Sequence, residues 1–252
     1  MFNIETGRQA DEENGKRIDY MKKEYEKKQS KYIKKLIDKI ESCTMYEPCR
    51  SMACAQCQTA RRLKYLVMWR QYFQDNKNYK LVTLIFYRDI ISTKDLRTWT
   101  PDLLKERLRK ILSRIGFNRP ITGGFDMDYH RYTHAPKESH WMPHFHLLIP
   151  NEPEKLEKLR AYMLKDNNLY ARKGRKNRPM RIDNIDNILP VLSYCVKGFW
   201  QEIPWFVNEE GKLKKVNRKR RIKNKSVFVK SLLALDRLSE SQLNFNMNVQ
   251  KI

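Results

Sequence analysis

The chain has 252 residues, enough for one domain of ordinary size with a smaller appendage. Its 52 basic residues outweigh 29 acidic ones, for a net charge of +23 and a pI near 9.8. That balance excludes a typical enzyme of small metabolites and points to a polyanionic partner, nucleic acid above all. The basic residues recur along the whole chain rather than on one amphipathic helix, which argues against a membrane-surface protein. No apolar run approaches the roughly 20 residues of a bilayer span, and the N-terminus is too charged for a signal peptide. A cytoplasmic location with reduced thiols is therefore expected.

Residues 1–42 read as a charged arm, a solvated or partly ordered helix with Tyr20, Met21, Tyr25, Tyr32, Ile33 and Leu36 at loose helical spacing. Residues 43–75 form a cysteine-rich segment followed by a helix. Cys43, Cys49, Cys54 and Cys57 are four of the chain's five cysteines. A Cys-x-x-Cys pair with two further thiols nearby is the pattern of a structural Zn²⁺ site. Cys195 stands apart and reads as a small buried residue. Leu63, Leu66, Val67, Trp69 and Tyr72 give the stretch from Thr59 to Phe73 a helical stripe. Tyr79 to Tyr87, rich in branched and aromatic residues, predicts a strand. Thr100-Pro101-Asp102 predicts a helix start, with Thr as N-cap and Pro at the first helical position. Gly123-Gly124 opens a predicted strand over Phe125 to Tyr129, and a polar loop leads to another over His144 to Ile149. Helices are predicted over Glu154 to Leu164 and Ile182 to Trp200, the latter with Pro190 near the start of its regular part. Lys165 to Arg181 and Lys212 to Lys230 are strongly basic, and a closing helix is predicted around Leu232 to Leu238. This order predicts an α+β fold, a central antiparallel sheet with helices mainly on one face.

Pro143-His144-Phe145-His146 carries the sharpest chemical signal. In a strand, residues i and i+2 share a face, so His144 and His146 present two imidazoles side by side. Such pairs also occur in cupins, metallo-β-lactamases and histidine-triad hydrolases. A third alternating histidine and a following Asp-x-x-His are absent, which argues against the last two. A third ligand is expected from the preceding strand: Asp128, with Asp126 its rival and His140 and His130 behind them. A carboxylate beside two imidazoles suits Mg²⁺ or Mn²⁺ recruited with a phosphate substrate. Tyr194 and Lys197, three apart on a predicted helix, project on one side. An ammonium there would favour the phenolate of a group whose ordinary pKa is near 10.

Together these residues resemble the HUH endonuclease superfamily, specifically the rolling-circle replication initiators of small plasmids and phages. Cys49 to Cys57 followed by Arg61-Arg62 is similar to the cysteine-rich stretch that precedes the nuclease in many members. Leu81 to Phe86 resembles their first strand motif. Trp141-Met142-Pro143-His144-Phe145-His146 resembles their metal-binding motif, with Met142 where a histidine often stands. Leu192-Ser193-Tyr194-Cys195-Val196-Lys197 resembles the nucleophile motif. The resemblance covers roughly residues 43–200. Some members carry an acidic residue about one turn before the tyrosine; here Pro190 and Val191 stand there, and Asp186 and Asp183 lie further off.

The resemblance implies a ferredoxin-like or RRM-like nuclease core over residues 76–205 and a basic C-terminal segment over 206–252. It implies Tyr194 and Lys197 as catalytic residues and single-stranded or hairpin origin DNA as substrate. A 5′-phosphotyrosyl link and a free 3′-hydroxyl would form, serving a host polymerase and helicase, and the protein would act as a monomer or dimer. Arg172, Lys173, Arg175, Lys176, Arg178, Arg218, Lys219, Arg220 and Arg221 are the expected phosphate contacts. Tyr170, Trp200, Trp205 and Phe206 are candidates to stack on unpaired bases. Two other readings remain open: a single-tyrosine transposase or relaxase with the same chemistry, and a non-catalytic zinc-containing regulator that only binds nucleic acid.

Overall fold

The computed structural model describes residues 4–167, 178–216 and 218–249. Seven strands form its sheet: β1 (Tyr79–Ile85), β2 (Ile121–Tyr132), β3 (His140–Pro150), β4 (Met180–Asp183), β5 (Gln201–Val207), β6 (Leu213–Lys215) and β7 (Asn244–Met247). Their order is β4-β1-β3-β2-β5-β6. The long strand β2 holds β3 along one edge and two partners along the other. β7 lies against Ile121 to Gly124 and β5 against Asp128 to Tyr132. The β2–β5 pairing is parallel and the rest are antiparallel, so the sheet is mixed rather than the antiparallel one expected.

One face carries Val82, Leu84, Phe125, Met127, Phe145 and Leu147, all buried. They pack on α4 (Asp102–Ile115), α5 (Pro153–Asn167) and α7 (Lys225–Arg237) through Leu108, Leu159 and Leu232. The opposite face carries Leu81, Thr83, Leu148, His146 and His144. Over one half of it lie α3 (Ala55–Asp75) and α6 (Ile188–Cys195), where Trp69, Leu192 and Cys195 meet Leu81 and Leu148. Helices thus cover both faces, not mainly one. β3, flanked by β1 and β2, is buried along its whole length. The uncovered half of the second face carries His144 and His146. The remaining short helix, α8 (Glu240–Leu243), leads into β7.

Residues 4–42 are not a solvated arm. α1 (Gly7–Lys28) starts with a capping box in which Thr6 Oγ1 accepts from Gln9 N (3.2 Å) and Gln9 Oε1 accepts from Thr6 N (2.9 Å). Gln29, at φ 50°, turns the chain toward α2 (Lys31–Glu41). Met21, Ile33, Leu36, Ile37 and Ile40 join the main core, each burial stabilising by about 1.5–3 kcal/mol. Polar bonds complete the docking. Arg17, 2 % exposed, pairs with Glu13 (2.9 Å) and donates to Ala53 O (2.8 Å). Asp236 Oδ1 of α7 accepts from both Lys39 Nζ and Ser51 Oγ at 2.6 Å. Among the described residues no helix is long and apolar enough to cross a membrane.

Candidate metal centre and nucleophile

The β2–β3 register sets Asp126 opposite His144 and Gly124 opposite His146. His144 Nδ1 donates to Met142 O (3.1 Å), and His146 Nδ1 bonds Thr83 Oγ1 (3.0 Å). The outer nitrogens are left for another task. Both Nε2 atoms are buried without a hydrogen-bond partner, and they converge on Asp126 Oδ2 at 3.1 and 3.7 Å. Ligand atoms around an octahedral ion lie about 3 Å apart when the bonds are about 2.1 Å. Asp126, His144 and His146 can therefore hold a divalent cation, and their ligand atoms all fall within 4.8 Å of one another. Burial pushes His146 down to about 3, so its ring is neutral, the form that ligates metal. Burial opposes ionisation of Asp126, but Lys197 and His144 beside it hold its carboxyl well below the usual range.

The preference for Asp128 over Asp126 reverses. Asp128 stands opposite Met142, and its Oδ2 lies 3.7 Å from His144 alone and 2.6 Å from Lys219 Nζ. His130 and His140 pair one step further along, their rings stacked at 5.4 Å. His130 Nδ1 accepts from Trp205 Nε1 (3.2 Å), and His140 Nδ1 donates to Glu138 O (2.9 Å), so both are engaged elsewhere.

Asn187 caps α6, its Oδ1 accepting from Leu189 N (3.2 Å), and Pro190 sits in the first turn. The helix end rests on β2 at Gly124, where an added Cβ would lie 2.0 Å from Cys195 O. This close approach lays the Tyr194 ring against His146, with centroids 4.4 Å apart. Gly124→Ala is expected to cost about 2 kcal/mol, lowering Tm by about 4–8 °C. An unchanged Tm would show that the helix end does not rest there.

Tyr194 remains 41 % exposed, with its side chain in the cleft. Lys197 is not on the same helix, because α6 ends at Cys195 and Val196 leaves it at φ −122°. Its ammonium nevertheless sits 5.3 Å from the Tyr194 ring centroid and 2.5 Å from Asp126 Oδ2. With Lys197 drawn to Asp126, burial outweighs its pull on the phenol, and the Tyr194 pKa is raised rather than lowered.

The open half of this face is a cleft of about 800 Å³. Arg178 and Arg181 line it near β4, Lys215 and Lys219 near β6, and Tyr87, Tyr132 and Trp205 contribute aromatic walls. Thr83 was not legible as a site residue, since only the register brings it here, whereas Arg181 and Lys215 lie within the basic stretches expected to hold phosphates. Of the expected phosphate contacts, Arg178 and Arg218 are exposed. Lys219 pairs with Asp128, Arg220 with the buried Glu202 (2.9 Å), and Arg221 with Glu13. Two of that run are thus held in structural pairs outside the cleft. Arg172, Lys173, Arg175 and Lys176, with Tyr170, lie outside the described residues. Trp200 packs on Trp141 at 5.6 Å as a core residue, while Phe206 is exposed.

The four cysteines also converge. Cys57 Sγ lies 3.7 Å from Cys43 Sγ and 3.6 Å from Cys49 Sγ, and Cys54 Sγ lies 3.7 Å from Cys43 Sγ. These separations far exceed a disulfide's roughly 2.05 Å. They match the roughly 3.8 Å edge of a tetrahedron of sulfurs about 2.3 Å from a central ion. A metal such as zinc fits. Asn14 of α1 donates to Cys54 Sγ (3.3 Å) while its Oδ1 accepts from Ala55 N (2.7 Å) at the start of α3. A thiol hydrogen bond from Cys57 pushes Cys54 down to about 5, the thiolate form a metal needs. Cys195 is free and buried, as its isolation suggested.

No protein-family model, curated protein or solved structure matches this chain. What the site can do follows from its own atoms. A phenol stands beside three convergent side chains that could hold a metal, at a cleft with cations at both ends.

Proposed function

We propose that the protein is a replication initiator endonuclease of the HUH type, which nicks single-stranded or hairpin origin DNA and rejoins it. The observation that carries this reading is the Tyr194 ring packed on His146, beside the Asp126–His144–His146 ligand set. A Mg²⁺ or Mn²⁺ ion held by those three residues would supply Lewis-acid polarisation of the scissile phosphate. Tyr194 Oη attacks the phosphorus and the upstream 3′-oxygen leaves, giving a 5′-phosphotyrosyl link and a free 3′-hydroxyl. Lys197 stabilises charge on the tyrosine or the phosphate. The phosphotyrosyl ester keeps the energy of the cleaved bond, so a second transesterification rejoins the strand without ATP. Arg178, Arg181, Lys215 and Lys219 hold phosphates on either side, which predicts strong salt dependence. A structural Zn²⁺ on the four cysteines would fix the start of α3. In this reading the protein works in the cytoplasm, with a host polymerase extending the 3′-hydroxyl and a helicase opening the duplex.

The test compares wild type with Tyr194→Phe on single-stranded origin DNA, with and without Mn²⁺, followed by denaturing electrophoresis. Wild type with metal is expected to give a covalent adduct and the Phe variant none. An adduct surviving in the Phe variant would place the nucleophile elsewhere. Tight DNA binding without any adduct would favour a zinc-containing binding protein. A transposase or relaxase shares the chemistry and would be told apart by its DNA, a transposon end or transfer origin in place of a replication origin.

A further inference from the structure

We infer that Lys197 holds the place of the cation in the metal-free site, and that metal binding transfers its ammonium from Asp126 to the side of Tyr194. This rests on the metal-dependent reading above and adds a coupling that the reading does not require. Asp126 has one oxygen to offer, because its Oδ1 already accepts from Met127 N at 2.8 Å. The other, Oδ2, is the oxygen facing both imidazole Nε2 atoms at 3.1 and 3.7 Å. The Lys197 ammonium lies 2.5 Å from that same oxygen, with its side chain only 15 % exposed.

A divalent ion bound by Asp126 Oδ2, His144 and His146 and an ammonium on Asp126 Oδ2 would be two cations on one buried oxygen. In a site with little water to screen them, they repel strongly. One must leave. Lys197 can, since it follows the end of α6 at Val196 rather than sitting within a helical turn. The ring of Tyr194, 5.3 Å away, marks the nearest place where its charge is useful. There the ammonium would face the phenolic oxygen and the phosphate under attack. Without metal, Lys197 and Asp126 neutralise each other and the tyrosine goes unassisted. Metal binding thus arms the nucleophile as well as the phosphate.

Lys219 supplies an internal control. It is also a cleft lysine paired with a buried carboxylate, at 2.6 Å, but its partner is Asp128 Oδ2, outside the converging set. Mn²⁺ affinity would be measured by calorimetry on the zinc-loaded protein, without DNA, for wild type, Lys197→Met and Lys219→Met. Removing a competitor should tighten Mn²⁺ binding by at least ~10-fold in Lys197→Met, within the usual range of site-to-site coupling. Lys219→Met should change it by less than ~3-fold, because its ammonium sits on Asp128 and competes for none of the three converging ligand atoms, and Asp128 offsets its charge.

Binding unchanged or weaker in Lys197→Met would overturn the inference. So would equal tightening in both variants, which would mean general charge repulsion, or no Mn²⁺ binding by any of the three. Should Lys197→Met not fold, Lys197→Gln removes the charge while keeping a polar side chain, and the same ordering is expected. The measurement needs no DNA cleavage. A protein that shows the ordering but forms no covalent adduct would disprove the nickase while leaving this coupling intact.

Discussion

Replacing His146 by leucine is expected to remove metal-dependent adduct formation, a fall of at least ~10³-fold, while Tm without metal stays within about 3 °C of wild type. On the proposed reading the two effects separate, because His146 is then buried for the benefit of a ligand and not of the core. Its Nε2 has no partner, and a buried unsatisfied polar atom costs about 1–3 kcal/mol. Leucine removes that atom at similar volume. It also gives up the 3.0 Å bond to Thr83, worth about 1 kcal/mol, so the balance lies near zero. A histidine retained for packing would behave the other way. Adduct formation retained alongside a Tm loss above about 10 °C would remove His146 from the ligand set. Thermal unfolding and denaturing electrophoresis on one preparation decide it.

Cys57→Ala should have the largest effect on stability. Cys57 lies within 3.7 Å of two other thiols, so losing it leaves three sulfurs where a tetrahedral ion needs four. Loss of a structural metal belongs among the few single changes that cost about 4–5 kcal/mol or more. In a chain of this size that is a Tm drop of about 10–20 °C. The damage should spread, because Cys54 caps α3 and Asn14 ties α1 to both. Bound zinc, measured by a colorimetric chelator after denaturation, should fall from one equivalent toward zero. A variant with full zinc and wild-type Tm would show that the cluster is an ordinary group of reduced thiols.

The parts of the site legible in the sequence were those set by local periodicity. His144 and His146 share a face because strand side chains alternate, and the cysteines announce themselves by spacing. What escaped depended on register or on distant partners. Asp126 and Asp128 look equivalent along β2, and only the pairing of Asp126 with His144 separates them. Lys197 reaches the site although α6 stops two residues before it. The α1–α2 hairpin was hidden because its buried stripe includes charged residues, Arg17 and Glu24, whose burial depends on partners elsewhere. Strands β4, β6 and β7 are only three or four residues long, and Lys-rich β6 carries no apolar alternation to betray it. The basic run at Arg220 and Arg221 suggested DNA contacts, and its pairing with Glu202 and Glu13 could be found only in the fold.

All three metal ligands belong to the single β2–β3 hairpin, whereas the tyrosine arrives between that hairpin and a strand that joins β2 in parallel. Local hairpins close quickly, and parallel crossovers must first bring distant segments together, so they close late. By that ordering, a folding chain would gather its aspartate and histidines before it acquires its phenol. On the proposed reading, an immature copy would grip an ion but have nothing with which to attack. For a protein proposed to break DNA strands, that order of assembly is a safeguard written into the topology, since the capacity to cut is among the last things the polypeptide completes.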